Sequence, residues 1–324
     1  MDHLIHRLNN SRNVLITTHA SPDGDAIGSL LAMNLALQGK HKQITLYNES
    51  PIPAVYRFLP RVRSVINHLI SAMPFDTAVV LDCGDLTRVG EAADIIYQIP
   101  EIINIDHHIT NTRFGTCQMI DVQACACTEI LYRLFERMHV PFTRDLATCI
   151  YTGILTDTGS FRFSNTNRTT FQICENMVAS GVDPFQVAQH VYGTYSLGRI
   201  KLLNLALDSI EISENGKVSL MALTRAMLNE TGTQPEDTDG MINYARRIQD
   251  VKIAVLIQEQ TNGSNRSPGQ RRPYNVSLRS DGSVDVAAIA AVFGGGGHQS
   301  AAGFSIESTL TEIKDQILQI TESL

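Results

Sequence analysis

The chain has 324 residues, of which 43% are hydrophobic and 18% are charged, and its formal net charge is −7. This length exceeds the usual size of a single hydrophobic core, so we predict two domains. The composition excludes a disordered chain, and the negative charge argues against non-specific binding of duplex DNA, which depends on many Lys and Arg contacts to phosphates. Short or small phosphorylated substrates remain open.

Neither a membrane protein nor a secreted protein is indicated. The N-terminus lacks the apolar run of about 7–15 residues that a signal peptide requires, and no stretch approaches the about 20 apolar residues of a membrane span. The six cysteines show no C-x-x-C spacing, which favours reduced thiols and a cytoplasmic protein. Cys125 and Cys127 are two residues apart on a predicted helix, where their thiols would point apart, so we expect no metal role for them.

Apolar periodicity predicts an alternation of strands and helices in the first half of the chain. Strands are predicted at 14–18, 44–47, 77–81 and 102–105, and a helix at 25–38. This alternation indicates parallel βαβ units and therefore a doubly wound parallel sheet. Helical patterns then dominate from residue 125 to about 212.

A second, smaller α/β domain is predicted after residue 214. Its strands are expected at 218–223, 254–257 and 274–278, and its helices at 239–247, 285–293 and from about 310. We therefore divide the chain into a domain at 1–195, a helical linker at 196–214 and a second domain at 215–324. The low-complexity stretch at 261–273 is predicted to be a turn.

Metal-binding side chains follow three of the predicted strands. His19, Asp23 and Asp25 come after the first, Asp82 stands alone after the third, and Asp106, His107 and His108 close the fourth; Asp157 is a further acidic candidate. Open α/β sheets bind their ligands at the carboxyl ends of strands. Imidazole mixed with carboxylate suits divalent ions such as Mn²⁺, so a two-metal phosphoesterase is the first hypothesis.

The charges of these residues support that hypothesis. Asp23, Asp25, Asp82 and Asp157 would bring four carboxylates together, and groups so crowded cannot all stay ionised without compensation. Two divalent cations about 3.5–4 Å apart would compensate them, and they could also polarise a phosphoryl oxygen and hold water as hydroxide.

Four motifs in this order resemble the DHH phosphoesterase superfamily with a DHHA1 C-terminal domain. They are His19-x-x-x-Asp23-Gly-Asp25, the isolated Asp82, Asp106-His107-His108 and the late Gly-Gly-Gly-Gly-His298 string. Within this superfamily, the chain resembles the nanoRNase and pAp phosphatase branch, from about residue 10 to the C-terminus. The resemblance implies a doubly wound DHH domain, a smaller α/β DHHA1 domain and an active site in the cleft between them.

The resemblance also implies roles for the candidate residues. One metal would be held by His19, Asp23 and Asp82, and the other by Asp25, Asp82, His107 and Asp157, with Asp82 bridging. Catalytic roles fall to His108, as a hydrogen-bond donor or general acid facing the scissile phosphate, and to Asp106. We expect Asp106 to accept the second N–H of a ligating imidazole rather than to bind metal. The competing interpretation of Asp23 or Asp25 is a helix N-cap, and that of His108 is a structural histidine.

The glycine string predicts a phosphate-binding loop. Glycines let backbone N–H groups approach an anion, and no Gly-Lys-Ser/Thr follows that would make a nucleotide P-loop. The resemblance implies that Gly295, Gly296, Gly297, His298 and Arg279 bind the distal phosphate or nucleotide of the substrate. The alternative is a glycine turn that ends the preceding helix.

Two further sets of residues have open interpretations. Arg266, Arg271 and Arg272 could contact a nucleic-acid backbone, although a solvated hairpin tip is favoured because only Tyr274 is interleaved with them. Phe161 and Phe163 could stack on a base or pack in the core.

The predicted function is that of a cytoplasmic phosphoesterase dependent on two divalent cations, with Mn²⁺ preferred over Mg²⁺ or Co²⁺. By resemblance, attack of a metal-bound hydroxide would release mononucleotides from short single-stranded RNA and AMP from 3′-phosphoadenosine 5′-phosphate (pAp). Alternatives are an exopolyphosphatase or pyrophosphatase, a cyclic-dinucleotide phosphodiesterase and a non-enzymatic nucleotide sensor. Neither duplex DNA nor a membrane is an expected partner, and a homodimer is left open.

Overall fold

The computed structural model describes residues 1–39, 41–69, 74–193, 195–260 and 271–322. The chain divides into two compact units, 1–194 and 195–324. Among the described helices, none combines the length and the apolar character that crossing a bilayer would take.

The first unit is built around a six-stranded sheet. Its strands are β1 (Asn13–Thr18), β2 (Gln43–Tyr47), β3 (Val65–Ile66), β4 (Thr77–Leu81), β5 (Glu101–Asp106) and β6 (Cys117–Ile120). Its α-helices are α1 (Asp2–Asn10), α2 (Gly24–Leu37), α3 (Ala93–Tyr97), α4 (Cys127–Arg137), α5 (Arg144–Asp157), α6 (Arg168–Ala179) and α7 (Pro184–Tyr192). All the strands pair in parallel, in the order β3-β2-β1-β4-β5-β6.

Both faces of this sheet are covered, as the apolar sequences of its strands predict. In β1, Val14 and Ile16 pack in one hydrophobic cluster and Leu15 packs in another. Side chains alternate between the faces of a strand, so a run that is apolar at every position needs cover on both sides. The doubly wound parallel sheet expected from the sequence is thereby confirmed.

The sheet order creates a site for ligands between β1 and β4. The chain runs outward from β1 to β2 and β3, and then returns to the other side of β1 with β4. In such sheets a crevice forms at the carboxyl ends of the strands where the order reverses. His19 follows β1 and Asp82 follows β4, so both lie at this reversal.

Helices α2 and α5 pack with their backbones in close approach at Gly28. A Cβ atom built on Gly28 would lie 2.6 Å from the carbonyl oxygen of Cys149 and 3.3 Å from the backbone nitrogen of Gly153. Because these are backbone atoms, the helices themselves must separate to make room.

We expect Gly28→Ala to destabilise the first unit by about 1–3 kcal/mol, the usual cost of overpacking a core. Ser29→Ala on the same helix is the matched control, since it removes a single buried oxygen and adds no atom, so its effect on stability should be smaller. Urea unfolding followed by circular dichroism measures both. Equal stability of the two variants would contradict the close approach.

The second unit contains a mixed sheet flanked by helices. Its strands are β7 (Glu211–Ile212), β8 (Val218–Leu223), β9 (Ile253–Glu259), β10 (Arg272–Ser280), β11 (Gly296–His298) and β12 (Ala301–Ser308). Its α-helices are α8 (Leu197–Asp208), α9 (Arg225–Thr231), α10 (Ile242–Arg246), α11 (Val286–Val292) and α12 (Leu310–Thr321). The strand order is β11-β12-β10-β9-β8-β7, and only β8 and β9 pair in parallel. This confirms the second α/β domain.

Some elements of the second unit differ from the prediction. Strand β12 was not predicted, because its sequence begins with two alanines and a glycine, which have low β propensity. Helix α10 is shorter than the predicted helix at 239–247. In α8, within the predicted linker, Leu202 and Ala206 are buried in a cluster with Met221 of β8, so that helix packs as part of the second unit.

Candidate metal centre and substrate site

Asp23 is the N-cap of α2. Its Oδ1 accepts hydrogen bonds from the backbone N–H groups of Asp25 and Ala26, both at 3.0 Å. The competing interpretation from the sequence, a helix cap, is therefore correct for this residue. The cap uses only Oδ1, however. His19, Asp23 and Asp82 each offer one ligand atom, and these three atoms lie within 4.8 Å of one another.

Asp25 is fully buried and is held by the first turn of α4. Its Oδ1 accepts from the backbone N–H and the hydroxyl of Thr128, at 3.0 and 2.7 Å, and its Oδ2 accepts from the backbone N–H of Cys127. A carboxylate is stabilised at a helix N-terminus because unpaired N–H groups and the helix dipole point towards it. Asp25 therefore has a fixed orientation in the site.

Asp82 lies at the centre of the cluster. Its Oδ2 is 3.7 Å from Nε2 of His19, and its Oδ1 is 3.5 Å from Nε2 of His107. The residue is left-handed, with φ of 50°, a conformation that is uncommon for residues with a side chain but more accessible to Asp than to most. Among the residues described, no donor meets hydrogen-bond geometry at its buried Oδ1, which has Nε2 of His107 at 3.5 Å and Nδ1 of His108 at 3.6 Å.

A second group of ligand atoms forms around His107. Asp25, His107 and Asp157 offer atoms that lie within 4.8 Å of one another, and Nε2 of His107 is 3.6 Å from Oδ2 of Asp157. Asp157 is the last residue of α5, so a helix end and not a strand end brings it to the site. The other ring nitrogen of His107, Nδ1, faces the carbonyl oxygen of Ala124 at 3.3 Å.

The crowding of carboxylates shifts the pKa values of the cluster. Burial, with the charge of Asp82, raises the pKa of Asp25 to about 7. Burial and the charge of Asp25 raise the pKa of Asp157 well above its ordinary value. Burial disfavours charged imidazoles, but the neighbouring carboxylates outweigh it and raise the pKa of His19 to about 9 and that of His107 to about 11. The site thus needs positive charge to ionise fully.

These residues fit two divalent cations. The donors are imidazole nitrogens and carboxylate oxygens, which suit first-row divalent metals. Asp82 has one oxygen towards each histidine, and one of those oxygens has no hydrogen bond among the described residues. A buried polar atom without a hydrogen bond is costly, and a cation would satisfy it.

Asp106 differs from its expected arrangement. Its buried carboxylate contacts His108, with 2.7 Å between Oδ1 and Nδ1, and not the ligand candidate His107. This contact orients the His108 ring, so that Nε2 is the nitrogen left to face a substrate. The expectation that Asp106 accepts the second N–H of a ligating imidazole is therefore wrong: its partner is His108, and Nδ1 of His107 faces the carbonyl oxygen of Ala124.

Both units of the chain match families of known proteins. Residues 13–154 match the DHH family, N-terminal domain, and residues 216–323 match the DHHA1 domain. The bifunctional oligoribonuclease and PAP phosphatase NrnA of Thermus thermophilus is 30% identical over 94% of this chain and 88% of its own length. The chain belongs to the DHH–DHHA1 phosphoesterase family. It is accordingly a hydrolase that acts on phosphoester bonds.

Other members of the DHH–DHHA1 family align over nearly the whole chain. The Bacillus subtilis protein of the same name is 24% identical over 96% of this chain and 94% of its own length. The crystal structure of an exopolyphosphatase-related protein from Bacteroides fragilis covers 99% of this chain and 95% of its own, with a TM-score of 0.89 and 27% identity.

The glycine string of the DHHA1 domain has two structural roles. Backbone N–H groups of Gly294 and Gly295 donate to Ala291 and Ala290 at 3.0 and 2.9 Å and end α11, so the helix-terminating alternative is correct for these two. Gly296, Gly297 and His298 then form β11, which was predicted as loop. A Cβ atom on Gly297 would lie 2.5 Å from the carbonyl oxygen of Ala301, so that position requires glycine.

Cross-strand register places His298 and Arg279 on one face of the sheet. His298 pairs with Ala301 of β12, and Ala301 pairs with Arg279 of β10. Residues directly opposite each other point to the same face, so the two side chains share a row two strands apart. Burial, with the like charge of Arg246, lowers the pKa of Arg279, and Asp239 acts in the opposite sense. Arg246 is thus a second guanidinium near this row.

The two phenylalanines and the arginines whose interpretation was left open have different surroundings in the structure. Phe161 is partly buried against the first core and close to Phe171, whereas 47% of Phe163 is exposed. Arg272 is not a hairpin tip, because it forms a 2.7 Å ion pair with the buried Glu259. Arg271 lies 3.6 Å from Glu312, and Arg266 lies outside the described residues.

Several residues of the DHH site were missed in the sequence. Thr128 holds Asp25, and the amide of Asn165 donates to the carbonyl oxygen of Asp157 at 3.2 Å. The amide of Asn111 donates to the carboxylate of Asp106 and to Oδ1 of Asn104. Of these, only Asn104 has a local signal, since it is a polar residue inside an otherwise apolar strand, where an amide must find partners.

Proposed function

We propose that the chain hydrolyses short single-stranded oligoribonucleotides to mononucleotides and pAp to AMP, with two divalent cations, Mn²⁺ first among them. The observation that carries this proposal is the position of Asp82, whose two oxygens face His19 and His107 and whose Oδ1 has no hydrogen bond among the described residues. The relatives named for both activities span both units of the chain, which supports the same substrates.

Three groups of possible ligand atoms overlap at Asp82 and His107: His19, Asp23 and Asp82; Asp25, His107 and Asp157; and Asp82, His107 and His108. We base the ligand roles on the first two, with Asp82 shared because its Oδ1 is 3.5 Å from His107. His19, Asp23 and Asp82 would hold one cation, and Asp25, Asp82, His107 and Asp157 the other. When bound, such a pair of cations supplies charge for the phosphoryl oxygens and lowers the pKa of a water. The protein itself keeps the donors in place: the first turn of α4 fixes Asp25, and the Ala124 carbonyl faces Nδ1 of His107.

We assign His108 to the scissile phosphate. Because Nδ1 is bonded to Asp106, the ring presents Nε2, which can donate a hydrogen bond or a proton to a phosphate oxygen. His108 is also 3.6 Å from Oδ1 of Asp82, so it borders the proposed cation site.

We assign substrate recognition to the second unit. Arg279 and His298 share a row on one face of its sheet, and Gly296 and Gly297 next to His298 are exposed and carry no side chain. The N–H of Gly295 is already bonded to Ala290, so we assign Gly295 to shaping this segment. A guanidinium suits a phosphate because it offers paired donors and a permanent charge. Arg279, His298 and the two exposed glycines would bind the phosphate distal to the scissile bond.

The substrate assignment is tested by measuring turnover of a short 5′-labelled RNA, pAp, cyclic di-AMP and polyphosphate side by side with Mn²⁺. We expect RNA and pAp to be cleaved with the highest kcat/KM. Preferential cleavage of polyphosphate would instead favour an exopolyphosphatase, the enzyme to which the Bacteroides fragilis protein is described as related. Binding of nucleotides without turnover would indicate a sensor.

Removal of metal is expected to abolish turnover and to lower the melting temperature. The carboxylates of the first unit lose their compensation without cations, so cations that bind the folded state should stabilise it. Activity and differential scanning fluorimetry are measured after EDTA treatment and again after titration with Mn²⁺. Full turnover by protein shown to be metal-free would reject the two-cation proposal.

A further inference from the structure

A chain of hydrogen bonds runs from the backbone of β4 to His108. The buried amide of Asn104 donates from Nδ2 to the carbonyl oxygens of Val80 and Cys83, at 3.3 and 3.1 Å. Its Oδ1 accepts from Nδ2 of Asn111 at 2.9 Å. Asn104 therefore anchors Asn111 to the exit of the strand that precedes Asp82.

Asn111 in turn holds the carboxylate of Asp106. Its Nδ2 donates to Oδ2 of Asp106 at 2.6 Å, and its Oδ1 accepts from the backbone N–H of Arg113 at 2.6 Å. The other oxygen of Asp106, Oδ1, bonds Nδ1 of His108. Both oxygens of the carboxylate are thus engaged, and the two bonds fix the plane of the carboxylate.

The turn that carries His108 is closed by the same residue. The backbone N–H of Asn111 donates to the carbonyl oxygen of His108 at 3.1 Å, and that of Thr112 donates to Gly84 at 2.8 Å. The ring of His108 and its backbone are consequently both tied to Asn111. A carboxylate that lost one of its two bonds could rotate about its side-chain torsion, and the ring bonded to it would follow.

We propose that Asn111, anchored by Asn104, is a positioning residue that sets the orientation of His108 towards the scissile phosphate. This inference rests on the proposed function of His108. It adds a residue outside the candidate metal ligands and, by this assignment, outside contact with the substrate: its side chain acts on the His108 ring through Asp106, and its backbone N–H closes the turn that carries His108.

The test compares Asn111→Asp and Asn111→Ala with Asn176→Asp. Asn111→Asp keeps the shape of the side chain but removes both N–H donors, and Asn111→Ala removes them without adding charge. Asn176 of α6 is the matched control, because its amide donates to the hydroxyl of Tyr132 at 2.8 Å and has no link to His108. Melting temperature and bound Mn²⁺ are measured for each variant, so that loss of fold or of metal is detected.

The expected result is a fall in kcat on short RNA of about 10–100-fold in both Asn111 variants, with KM unchanged and the control at the wild-type rate. In a His108→Ala background, Asn111→Asp should cause no further loss, because the two residues act as one unit. Additive losses, or wild-type kcat in both Asn111 variants, would overturn the proposal.

A spectroscopic readout separates the proposal from the proposed function. In ¹⁵N-histidine-labelled protein loaded with Mg²⁺, the His108 Nδ1–H bonded to Asp106 should give a protected proton resonance, identified by its absence in His108→Ala. We expect Asn111→Asp to lose it and Asn176→Asp to keep it. An unchanged resonance in Asn111→Asp overturns the positioning role. Loss of the resonance together with wild-type turnover by His108→Ala supports positioning but rejects the catalytic assignment of His108.

Discussion

Asp82→Asn is expected to reduce turnover of short RNA below detection and to weaken the binding of both cations. The substitution keeps the size of the side chain but replaces an anion that faces both His19 and His107 with a neutral amide. A neutral amide is a weaker ligand than a carboxylate, so both proposed cation sites would lose a charged donor at the position that they share. Calorimetric titration with Mn²⁺ should show loss of tight sites, and the kinetic assay should show loss of activity.

Asp76→Asn is the matched control for this variant. Asp76 lies at the opposite end of the same strand, where it accepts hydrogen bonds from the backbone N–H groups of Arg12 and Asn13. Its substitution should affect stability without changing Mn²⁺ binding. Asp106→Ala provides a second comparison, with an expected loss of about 10–100-fold. Equal, mild losses in Asp82→Asn and Asp106→Ala would contradict the bridging position of Asp82.

Arg279→Ala and His298→Ala are expected to reduce kcat/KM for short RNA and pAp by about 10–150-fold, since an Arg–phosphate contact contributes about 1.5–3 kcal/mol. Binding energy from a non-reacting part of the substrate helps to orient the scissile bond. Bis-p-nitrophenyl phosphate lacks the distal group, so its cleavage should stay near the wild-type rate. The ratio of the two kcat/KM values is the measurement that decides.

Arg279→Lys refines this experiment. A lysine keeps the positive charge but not the planar pair of donors, so we expect partial recovery relative to Arg279→Ala. If kcat/KM for RNA and kcat/KM for bis-p-nitrophenyl phosphate fall by the same factor in every variant, Arg279 and His298 serve the chemistry or the fold of the second unit and not substrate recognition.

The sheet of the first unit and the neighbourhood of its ligands could be predicted from sequence because their signals are local. Val14–Ile16 are apolar without interruption, which indicates a strand covered on both faces, and His19 stands immediately beyond its end. Parallel strands share their carboxyl edge, so residues as distant as His19 and His107 could be expected to meet there.

The remaining features depend on contacts that no local pattern encodes. Asp25 accepts a hydrogen bond from the backbone N–H of Cys127, at the start of α4, across 102 positions of sequence. The residues around Cys127 contain no local pattern that predicts this partner. The link from Asn111 to Asp106 was missed because asparagine in a polar turn is ordinary. Strand β12 escaped prediction because its pairing with β10, not its own composition, makes it a strand.

The arrangement of the candidate donors has a consequence for cooperativity. They come from the ends of β1, β4, β5 and α5 and the start of α2, so they meet only when segments between His19 and Asp157 are all in place. Cations bound there would close several long loops at once, and partial opening of any one segment would have to break the coordination. Amide hydrogens throughout these five elements should therefore slow their exchange together when metal binds, as a single cooperative block.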